Sequence, residues 1–522
     1  MLIMNKTARK IILGILTLAI VSGIGYNLNS RVNTINQKVS ASVSQNYEGK
    51  KPKYIFMFIG DGMSFPQIQV TEYFNGVKSK GPINASQGNY PTNEKLSFMN
   101  FPVTGTVTTY DSTSLCPDSA STATSLSTGN KTLSSVINMD ETKTKSYETI
   151  TEKLKKQLGY KIGIVSSVNI DHATPGAYYA HVPARSKYYD MGLQLVDSDF
   201  DYFAGGKFLS DDSKEVKEQG KPKIADLAKE KGYKIADTKE EITSLKKGDE
   251  KVIAICPENE VEKESGALKY SIDRDESELS LADYTKKGIE LLNNDTGFFM
   301  MVEGGKIDWA GHANDAASTI NEVNSFNDAV QEAIDFYNEH PDETLILVTG
   351  DHETGGLTLG FAGTNYETYL QNLSNQKLSY TDFDRYIAKY RENKTSFDDA
   401  MKDVERLFGL KRAGSAGDST KGGMVLTSEE EARIKASYEK SMTAKEDRKL
   451  DQNETVMYGS YEPFSVTLTH ILNNKSGVSY SSYSHTGIPV ALMAKGVGQE
   501  MFNGYYDNTD VFKKLKEITK VD

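Results

Sequence analysis

Residues 54–63 read YIFMFIGDGM, an apolar run that leads directly into an acidic turn. The same kind of run recurs at Lys161–Ser166, Gly297–Val302, Thr344–Thr349 and Ile488–Ala494. Short apolar runs of this type predict buried parallel strands. Between them lie helical patterns, the clearest at 315–338 and another at about 280–293. This alternation predicts an α/β fold, a doubly wound, mostly parallel sheet flanked by helices.

Polar side chains with metal-binding or catalytic chemistry follow the ends of the first four runs. They are Asp61, His172, Thr174, Glu303, Asp351 and His352. Open α/β sheets bind ligands at the carboxyl ends of their strands. We therefore expect these separated segments to converge on one crevice.

Two further segments extend this candidate site. Asp308 and His312 are four residues apart, so they would share one face of a helical turn, and His485 precedes the last apolar run. Mixed imidazole and carboxylate ligands suit zinc, and a carboxylate–hydroxyl set suits magnesium. Singly, each residue has an ordinary explanation in a turn, the core or the surface. We assign the remaining histidines to that ordinary class: His181, His340 and His470.

Ser119 is the candidate nucleophile, in the segment CPDSASTAT at 116–124. The small residues after it resemble the first turns of a helix, whose free N–H groups would attract a phosphate. Alternatively, Ser119 or Asp118 merely caps that helix. No histidine lies nearby in sequence, but a metal ion could lower the pKa of the hydroxyl instead. Arg185 either grips two phosphate oxygens or is an ordinary solvated arginine.

Composition narrows the class of protein. The chain has 522 residues, of which 38% are hydrophobic and 25% are charged, as in a globular protein rather than a disordered or multi-span one. Its net charge of -12 disfavours nucleic acid as a partner. Two cysteines, Cys116 and Cys256, exclude a disulfide-rich scaffold and a cysteine-based zinc cluster, and they leave open whether the two pair.

Together these motifs resemble those of the alkaline phosphatases over about residues 53–500. The segments that carry the resemblance are 58–63, 118–120, 172–175, 303–312, 350–352 and 485–487. The likeness is to bacterial, zinc- and magnesium-dependent members with a large insertion before the last metal-binding histidine. It implies hydrolysis of varied phosphomonoesters at alkaline pH, through a phosphoserine on Ser119, with release of inorganic phosphate.

The resemblance also implies a role for each candidate residue. The first zinc would be held by Asp308, His312 and His485. The second zinc, which contacts Ser119, would be held by Asp61, Asp351 and His352. Magnesium would be held by Asp61, Thr174 and Glu303, and Arg185 would orient the phosphate. His172 and Trp309 occupy outer positions that vary within the family, so the metal preference of the third site stays open. Calcium near 255–280 is a further option in the family; Glu258, Asp273 and Glu278 are acidic there, but the sequence assigns no site.

Rival functions fit the sequence less well. A sulfatase needs Cys-x-Pro-x-Arg, whereas Pro117 follows Cys116 directly. A phosphodiesterase of the same superfamily often uses threonine as the nucleophile and lacks the arginine clamp. A phosphate scavenger without turnover would lack the nucleophile or a metal ligand.

The N-terminus is typical of a targeting segment. Three basic residues within 6–10 precede an apolar run at 11–25, which is short for a spanning helix of about 20 residues. We expect residues 1–42 to form a signal peptide or an uncleaved anchor with a linker, and residues 43–522 to form the catalytic domain. The protein would then be extracytoplasmic, either secreted or associated with the cell envelope.

The segment 364–477 (the insertion) is longer than a simple connection between two strands of the sheet requires. We therefore predict that it forms an inserted helical subdomain. Amphipathic helices are expected at 381–391, 396–408 and 428–446, with caps at Ser396 and Ser428 and a Gly/Ser-rich turn at 414–423. We expect their apolar faces to form a subunit contact and the protein to be a homodimer. The alternative is that these faces pack on one another or on the parent domain. In the dimer hypothesis, deleting the insertion would leave metal binding largely intact.

Overall fold

The computed structural model describes residues 47–420 and 422–522. Contacts divide the chain into Met1–Glu48, of which only the last two residues are described, and the compact unit Gly49–Asp522. The predicted signal or anchor at 1–42 lies outside the described residues. In the part of the chain that is described, none of the helices is both long and apolar enough to cross a membrane.

Gly49–Asp522 is built on a ten-stranded sheet, with two small two-stranded sheets beside it. The strands are β1 Tyr54–Gly60, β2 Val103–Thr108, β3 Lys161–Asn169, β4 Tyr202–Gly206, β5 Lys234–Ala236, β6 Val252–Ile255, β7 Phe298–Glu303, β8 Thr344–Gly350, β9 Glu353–Thr354, β10 Thr358–Leu359, β11 Val478–Ser479, β12 His485–Thr486, β13 Val490–Gly496 and β14 Gly504–Asp507. The order in the large sheet is β14-β2-β13-β8-β1-β7-β3-β4-β6-β5. The predicted mostly parallel α/β sheet is confirmed.

One strand differs from its predicted direction. The run at Ile488–Ala494 was expected to be parallel, but β13 is antiparallel to both of its neighbours, β8 and β2. An antiparallel strand begins at the edge where its parallel neighbours end. The residues before β13, His485 among them, therefore lie at the same edge as the residues that follow β1, β3 and β8.

Helices cover both faces of the sheet. The α-helices of the described residues are α1 Phe65–Lys80, α2 Ser119–Thr128, α3 Ile150–Leu158, α4 Ala173–Gly176, α5 Tyr188–Asp197, α6 Lys214–Lys217, α7 Ile224–Glu230, α8 Lys239–Ser244, α9 Leu281–Leu292, α10 Lys306–His312, α11 Ala316–Glu339, α12 Tyr380–Asn393, α13 Phe397–Phe408, α14 Ser428–Ser441, α15 Gln452–Tyr458, α16 Pro463–Ser476 and α17 Thr509–Thr519. The two helices predicted outside the insertion, α9 and α11, are confirmed within two residues.

The core fixes the strands that carry the site. Every residue of β1, β7 and β8 is buried. The long helix α11 packs across them, and the ring of Phe326 meets that of Phe58 edge to face at 5.9 Å. Truncating such a buried aromatic typically costs about 3–5 kcal/mol. The ends of these strands are therefore held in fixed positions.

The insertion begins and ends at a short ladder, because β10 pairs antiparallel with β11. Its predicted helices are present as α12, α13 and α14, and Ser396 caps α13 as expected. Two details were wrong. The cap of α14 is Thr427 rather than Ser428, because the Thr427 hydroxyl and the Glu430 carboxylate form a reciprocal capping box. The same helix ends at Ser441 instead of 446.

The apolar faces of the insertion are not free for a partner. Phe383, Ile387 and Tyr390 are buried, as are Met401, Val404 and Phe408. They share one core cluster with residues of α1, the start of α11 and α16. The prediction that these faces form a subunit contact is therefore wrong, since the chain covers them itself.

Candidate active site

The nucleophile candidate lies at the first position of α2. Asp118 is the N-cap and accepts a hydrogen bond from the N–H of Ser121 at 3.1 Å. Capping is therefore done by Asp118, and the Ser119 hydroxyl points elsewhere. All ten residues of α2 are buried, so the helix is held firmly with its positive end at the site.

The Ser119 hydroxyl faces a group of three ligands, Asp61, Asp351 and His352. Its oxygen lies 3.1 Å from Nε2 of His352 and 3.4 Å from Oδ1 of Asp61. The same His352 nitrogen is 3.2 Å from Asp61 and 3.3 Å from Asp351. One ligand atom from each residue lies within 4.8 Å of the others, as a bound metal ion requires.

A glycine turn places Asp61. Gly62 has φ +74°, a conformation that side chains disfavour, and it lets the chain turn sharply after β1. A Cβ on Gly62 would lie 2.8 Å from Oγ1 of Thr354 and 2.9 Å from Cα of Asp308. The turn therefore needs glycine both for its backbone angle and for the close approach of the other metal-binding segments.

A second convergent group consists of Asp308, His312 and His485. The helix α10 carries Asp308 and His312 on one face, as predicted, with Nε2 of His312 at 3.4 Å from Oδ1 of Asp308. Nε2 of His485 is 3.3 Å from the same oxygen. The two imidazole Nε2 atoms are 3.0 Å apart.

Hydrogen bonds to backbone carbonyls orient both imidazole rings. Nδ1 of His312 donates to the Tyr483 carbonyl at 2.6 Å, and Nδ1 of His485 donates to the Pro117 carbonyl at 2.5 Å. With the proton on Nδ1, the lone pair on each Nε2 is free to bind a metal.

The residues predicted for magnesium meet on the other side of Asp61. The Thr174 hydroxyl is 3.3 Å from Oδ2 of Asp61, the oxygen that does not face Ser119. One oxygen of Glu303 accepts from the Ser166 hydroxyl. Within the described chain, the other oxygen of Glu303 and Nδ1 of His172 are buried without a hydrogen-bond partner. Such orphaned ligand atoms fit a cation or its water shell.

Trp309 and Arg185 border a cavity of about 410 Å³ above Ser119. Trp309 meets the ring of His172 edge to face at 5.9 Å. Arg185 donates to Oδ2 of Asp118 at 3.1 Å, next to the nucleophile. Burial alone would raise the pKa of Asp118, but Arg185 and hydrogen bonds from Ser135 and Ser121 hold that pKa below its usual range.

Several acidic side chains are buried close together in the site. Burial and the charge of Asp61 raise the pKa of Glu303 well above its usual range and that of Asp351 to about 8. Buried carboxylates this close cannot all ionise without nearby positive charge. Divalent cations supply that charge, so the donor set and the electrostatics both fit a metal centre.

Sequence reasoning missed several residues that orient the ligands. The Thr354 hydroxyl donates to Asp308 and lies 3.3 Å from Nδ1 of His352. The Thr122 hydroxyl donates to Asp351 at 2.9 Å. Hydroxyl residues are too common for sequence alone to single these out, although Thr354 follows His352 by only two positions.

The residues suggested for calcium do not come together. Glu258 pairs with Lys207, Glu278 pairs with Lys269, and Asp273 accepts from the N–H of Ser379. Over residues 47–420 and 422–522, the three-residue groups suited to a metal are the two above. These three acids therefore do not form one ligand group, and calcium stays without an assigned site.

Comparison with known proteins agrees with the geometry. The family model described as alkaline phosphatase matches residues 52–521. The chain belongs to the alkaline phosphatase family. Family members hydrolyse phosphomonoesters and depend on metal ions, so this chain is an enzyme of that class.

The two cysteines, whose pairing the sequence left open, are both free. Cys116 is exposed and Cys256 is buried.

Relatives match along most of the chain. Alkaline phosphatase 4 of Bacillus subtilis is 30% identical over 496 residues, which is 92% of each chain. Alkaline phosphatase 3 of the same organism is 28% identical over 530 residues, 99% of this chain and 100% of the relative. The crystal structure of the cold-active alkaline phosphatase from the psychrophile Shewanella sp. has a TM-score of 0.70 at 25% identity, covering 89% of this chain and 99% of the other.

Proposed function

We propose that this alkaline phosphatase cleaves varied phosphomonoesters at alkaline pH through a phosphoserine on Ser119, with two zinc ions and one magnesium ion. The observation that carries the proposal is the position of the Ser119 hydroxyl, at the positive end of α2 and 3.1 Å from a metal-ligand nitrogen. A serine there faces both a phosphate site and a ligand group that can activate it.

The metal assignment follows the ligand chemistry. The first zinc would bind Asp308, His312 and His485. The second zinc would bind Asp61, Asp351 and His352. Magnesium would bind Asp61, Thr174 and Glu303, with His172 beside it. When bound, the ions stabilise negative charge on the attacking and leaving oxygens and lower the pKa of bound water.

The protein's own groups arrange the substrate. The phosphate would lie between the N-terminus of α2 and Arg185, whose guanidinium can hold two of its oxygens. Asp118 keeps Arg185 next to Ser119. The Ser119 oxygen loses its proton and attacks phosphorus, the bond from phosphorus to the ester oxygen breaks on the opposite side, and a phosphoserine forms. The leaving oxygen takes up a proton and departs as the alcohol. Water then hydrolyses the phosphoserine in a second in-line step, which regenerates the hydroxyl and releases inorganic phosphate.

The purified mature protein tests the proposal with two substrates and a metal analysis. We expect rapid release of p-nitrophenol from p-nitrophenyl phosphate and very little from the bis ester. Two zinc ions and one magnesium ion should be found per chain. Preference for the diester would favour a phosphodiesterase, and binding of phosphate without turnover would favour a scavenger.

Location and assembly are further proposals. We propose that the protein acts outside the cytoplasm, as the basic and apolar segment at the N-terminus indicates. We also propose a homodimer, which now rests on the family resemblance because the insertion's apolar faces are covered. Cell fractionation tests the location, and light scattering after size exclusion tests the assembly.

A further inference from the structure

We propose that His470, in the insertion, is a positioning residue for the ligand group Asp308, His312 and His485, and that it acts through Asn314. The inference rests on the proposed function, since it assumes that this group binds a metal ion. It gives a role to a histidine that the sequence placed among ordinary core or surface residues, and it makes the insertion a structural part of the metal centre.

Asn314 connects the two segments that supply the ligands. It follows α10 by two residues and has φ +52°, which asparagine tolerates better than most residues. Its side-chain amide donates to the carbonyl of Gly311 at 2.9 Å and to that of Ser482 at 2.8 Å. The end of α10, which carries His312, is thereby tied to the loop that carries His485.

The insertion holds Asn314 from the other side. Nε2 of His470 lies 3.0 Å from Oδ1 of Asn314, and the side-chain amide of Asn473 donates to the Asn314 carbonyl at 2.8 Å. Both residues belong to α16. Because the amide nitrogen of Asn314 already donates twice, its oxygen is the acceptor and His470 is the donor. Burial and the charge of Arg433 lower the pKa of His470 to about 4, so the donor is a neutral imidazole.

A second contact connects His470 to the loop before β12. Its ring stacks on that of Tyr483 with centroids 5.8 Å apart. The ring of Tyr461, also from the insertion, contacts Tyr483 with the same distance of 5.8 Å between centroids. The Tyr483 carbonyl is the acceptor for Nδ1 of His312. His470 therefore contacts the loop whose backbone fixes the tautomer of a metal ligand.

These contacts reverse an expectation from the sequence. Deleting the insertion was expected to leave metal binding largely intact. Deletion would remove His470, Asn473 and Tyr461 together, and with them the supports of Asn314 and Tyr483. We now expect the Asp308 group to lose its alignment, whereas the Asp61 group, held by β1 and β8, keeps its support from the central sheet.

The test compares His470→Leu with His470→Gln in the full-length protein. Glutamine can place an N–H donor near the position of Nε2, whereas leucine cannot donate. Each protein is loaded with zinc and titrated with a chelator, and the zinc retained per chain is measured. We expect about tenfold weaker retention of one of the two zinc ions in His470→Leu, the scale of lost outer-shell support, and recovery in His470→Gln. Absorption spectra after cobalt substitution should show the same change at one site.

Two controls separate this role from a general loss of stability. His340→Leu removes a histidine at the end of α11, where it packs on Tyr54 and Phe336, and should retain zinc like the wild type. In Asn314→Gly, glycine can adopt the left-handed backbone but lacks the side-chain amide that donates to Gly311 and Ser482. This variant should retain the same zinc ion less tightly, and it tests the inference even if His470→Leu fails to fold.

The outcomes are distinguishable. A wild-type protein that holds no zinc at the Asp308 group would overturn the proposed function itself. The inference alone would be overturned if the wild type binds two zinc ions and both variants retain them as tightly as the wild type does. The two variants are Asn314→Gly and a folded His470→Leu. Equal losses in His470→Leu and His340→Leu would also overturn it.

Discussion

The Nε2 atoms of His312 and His485 face each other across 3.0 Å, and they lie 3.4 and 3.3 Å from the same oxygen of Asp308. Nδ1 of each ring donates to a backbone carbonyl, so each Nε2 is the ring nitrogen that can bind a metal. A cation between the two Nε2 atoms and the carboxylate would hold the three ligands together.

Metal removal should therefore destabilise the protein. We expect a chelator to lower the Tm in differential scanning calorimetry and added zinc to restore it. Zinc at 100 times its Kd would stabilise the fold by about 2.7 kcal/mol per site. Calcium in place of zinc serves as the control and should restore little, because imidazole ligands disfavour it. A Tm unaffected by chelation would contradict the metal assignment.

Ser119→Ala should abolish most turnover while zinc still binds. The Ser119 oxygen is 3.1 Å from Nε2 of His352, and the Thr354 hydroxyl, 3.3 Å from Nδ1, contacts the ring from its other nitrogen. The measurement is steady-state hydrolysis of p-nitrophenyl phosphate together with zinc content. The matched control is Ser134→Ala, which removes a hydroxyl from the wall of the same cavity. Activity of Ser119→Ala above about a tenth of wild type would rule out the phosphoserine route.

Arg185→Ala should raise KM and weaken inhibition by free phosphate, with a smaller loss of kcat. Losing charge-assisted hydrogen bonds to two phosphate oxygens costs about 1.5–3 kcal/mol, or roughly 10- to 150-fold in binding. Arg185→Lys keeps the charge but not the planar fork, so it should recover only part of the loss. Unchanged inhibition by phosphate would place Arg185 outside the substrate site.

His172→Asp should strengthen magnesium binding at the third site. Nδ1 of His172 is buried without a partner in the described structure, and burial together with Arg185 lowers its pKa to about 4. A neutral imidazole supplies less negative charge than a carboxylate and prefers zinc to magnesium. Activity titrated against magnesium for both proteins measures the difference, and equal affinities would refute the idea.

Gly62→Ala should disrupt the metal centre, whereas Gly88→Ala should not. Both glycines have positive φ, +74° and +79°, so alanine at either costs roughly 1–2 kcal/mol of backbone strain. A Cβ at Gly62 would also collide with Thr354 and Asp308, but at Gly88 nothing lies within 4 Å. Zinc content and turnover should fall only in Gly62→Ala. Equal behaviour of the two variants would show that strain alone matters.

The sequence predicted the strands whose residues form a continuous apolar run. The runs that became β1, β3, β7 and β8 are continuously apolar because both faces of those strands are covered by helices. The short strands β2, β5 and β14 escaped prediction because they are partly exposed and give no continuous apolar pattern. β4 and β6 also escaped prediction, although every residue of both is buried, because they are only five and four residues long. The direction of β13 was wrong because an apolar run has the same appearance whichever way the strand runs.

By itself, the sequence determined the α/β class and the residue types of the metal ligands. Those features depend on the covalent order of side chains within a few residues of one another. The family resemblance implied how the ligands divide into groups, but only the tertiary structure showed that the members of each group meet and decided how the insertion is used. His485 reaches Asp308 because β13 is antiparallel, and His470 reaches Asn314 because α16 lies against the turn that follows α10. Both contacts join residues more than 150 positions apart, and no local pattern records which distant side chain completes a hydrogen bond.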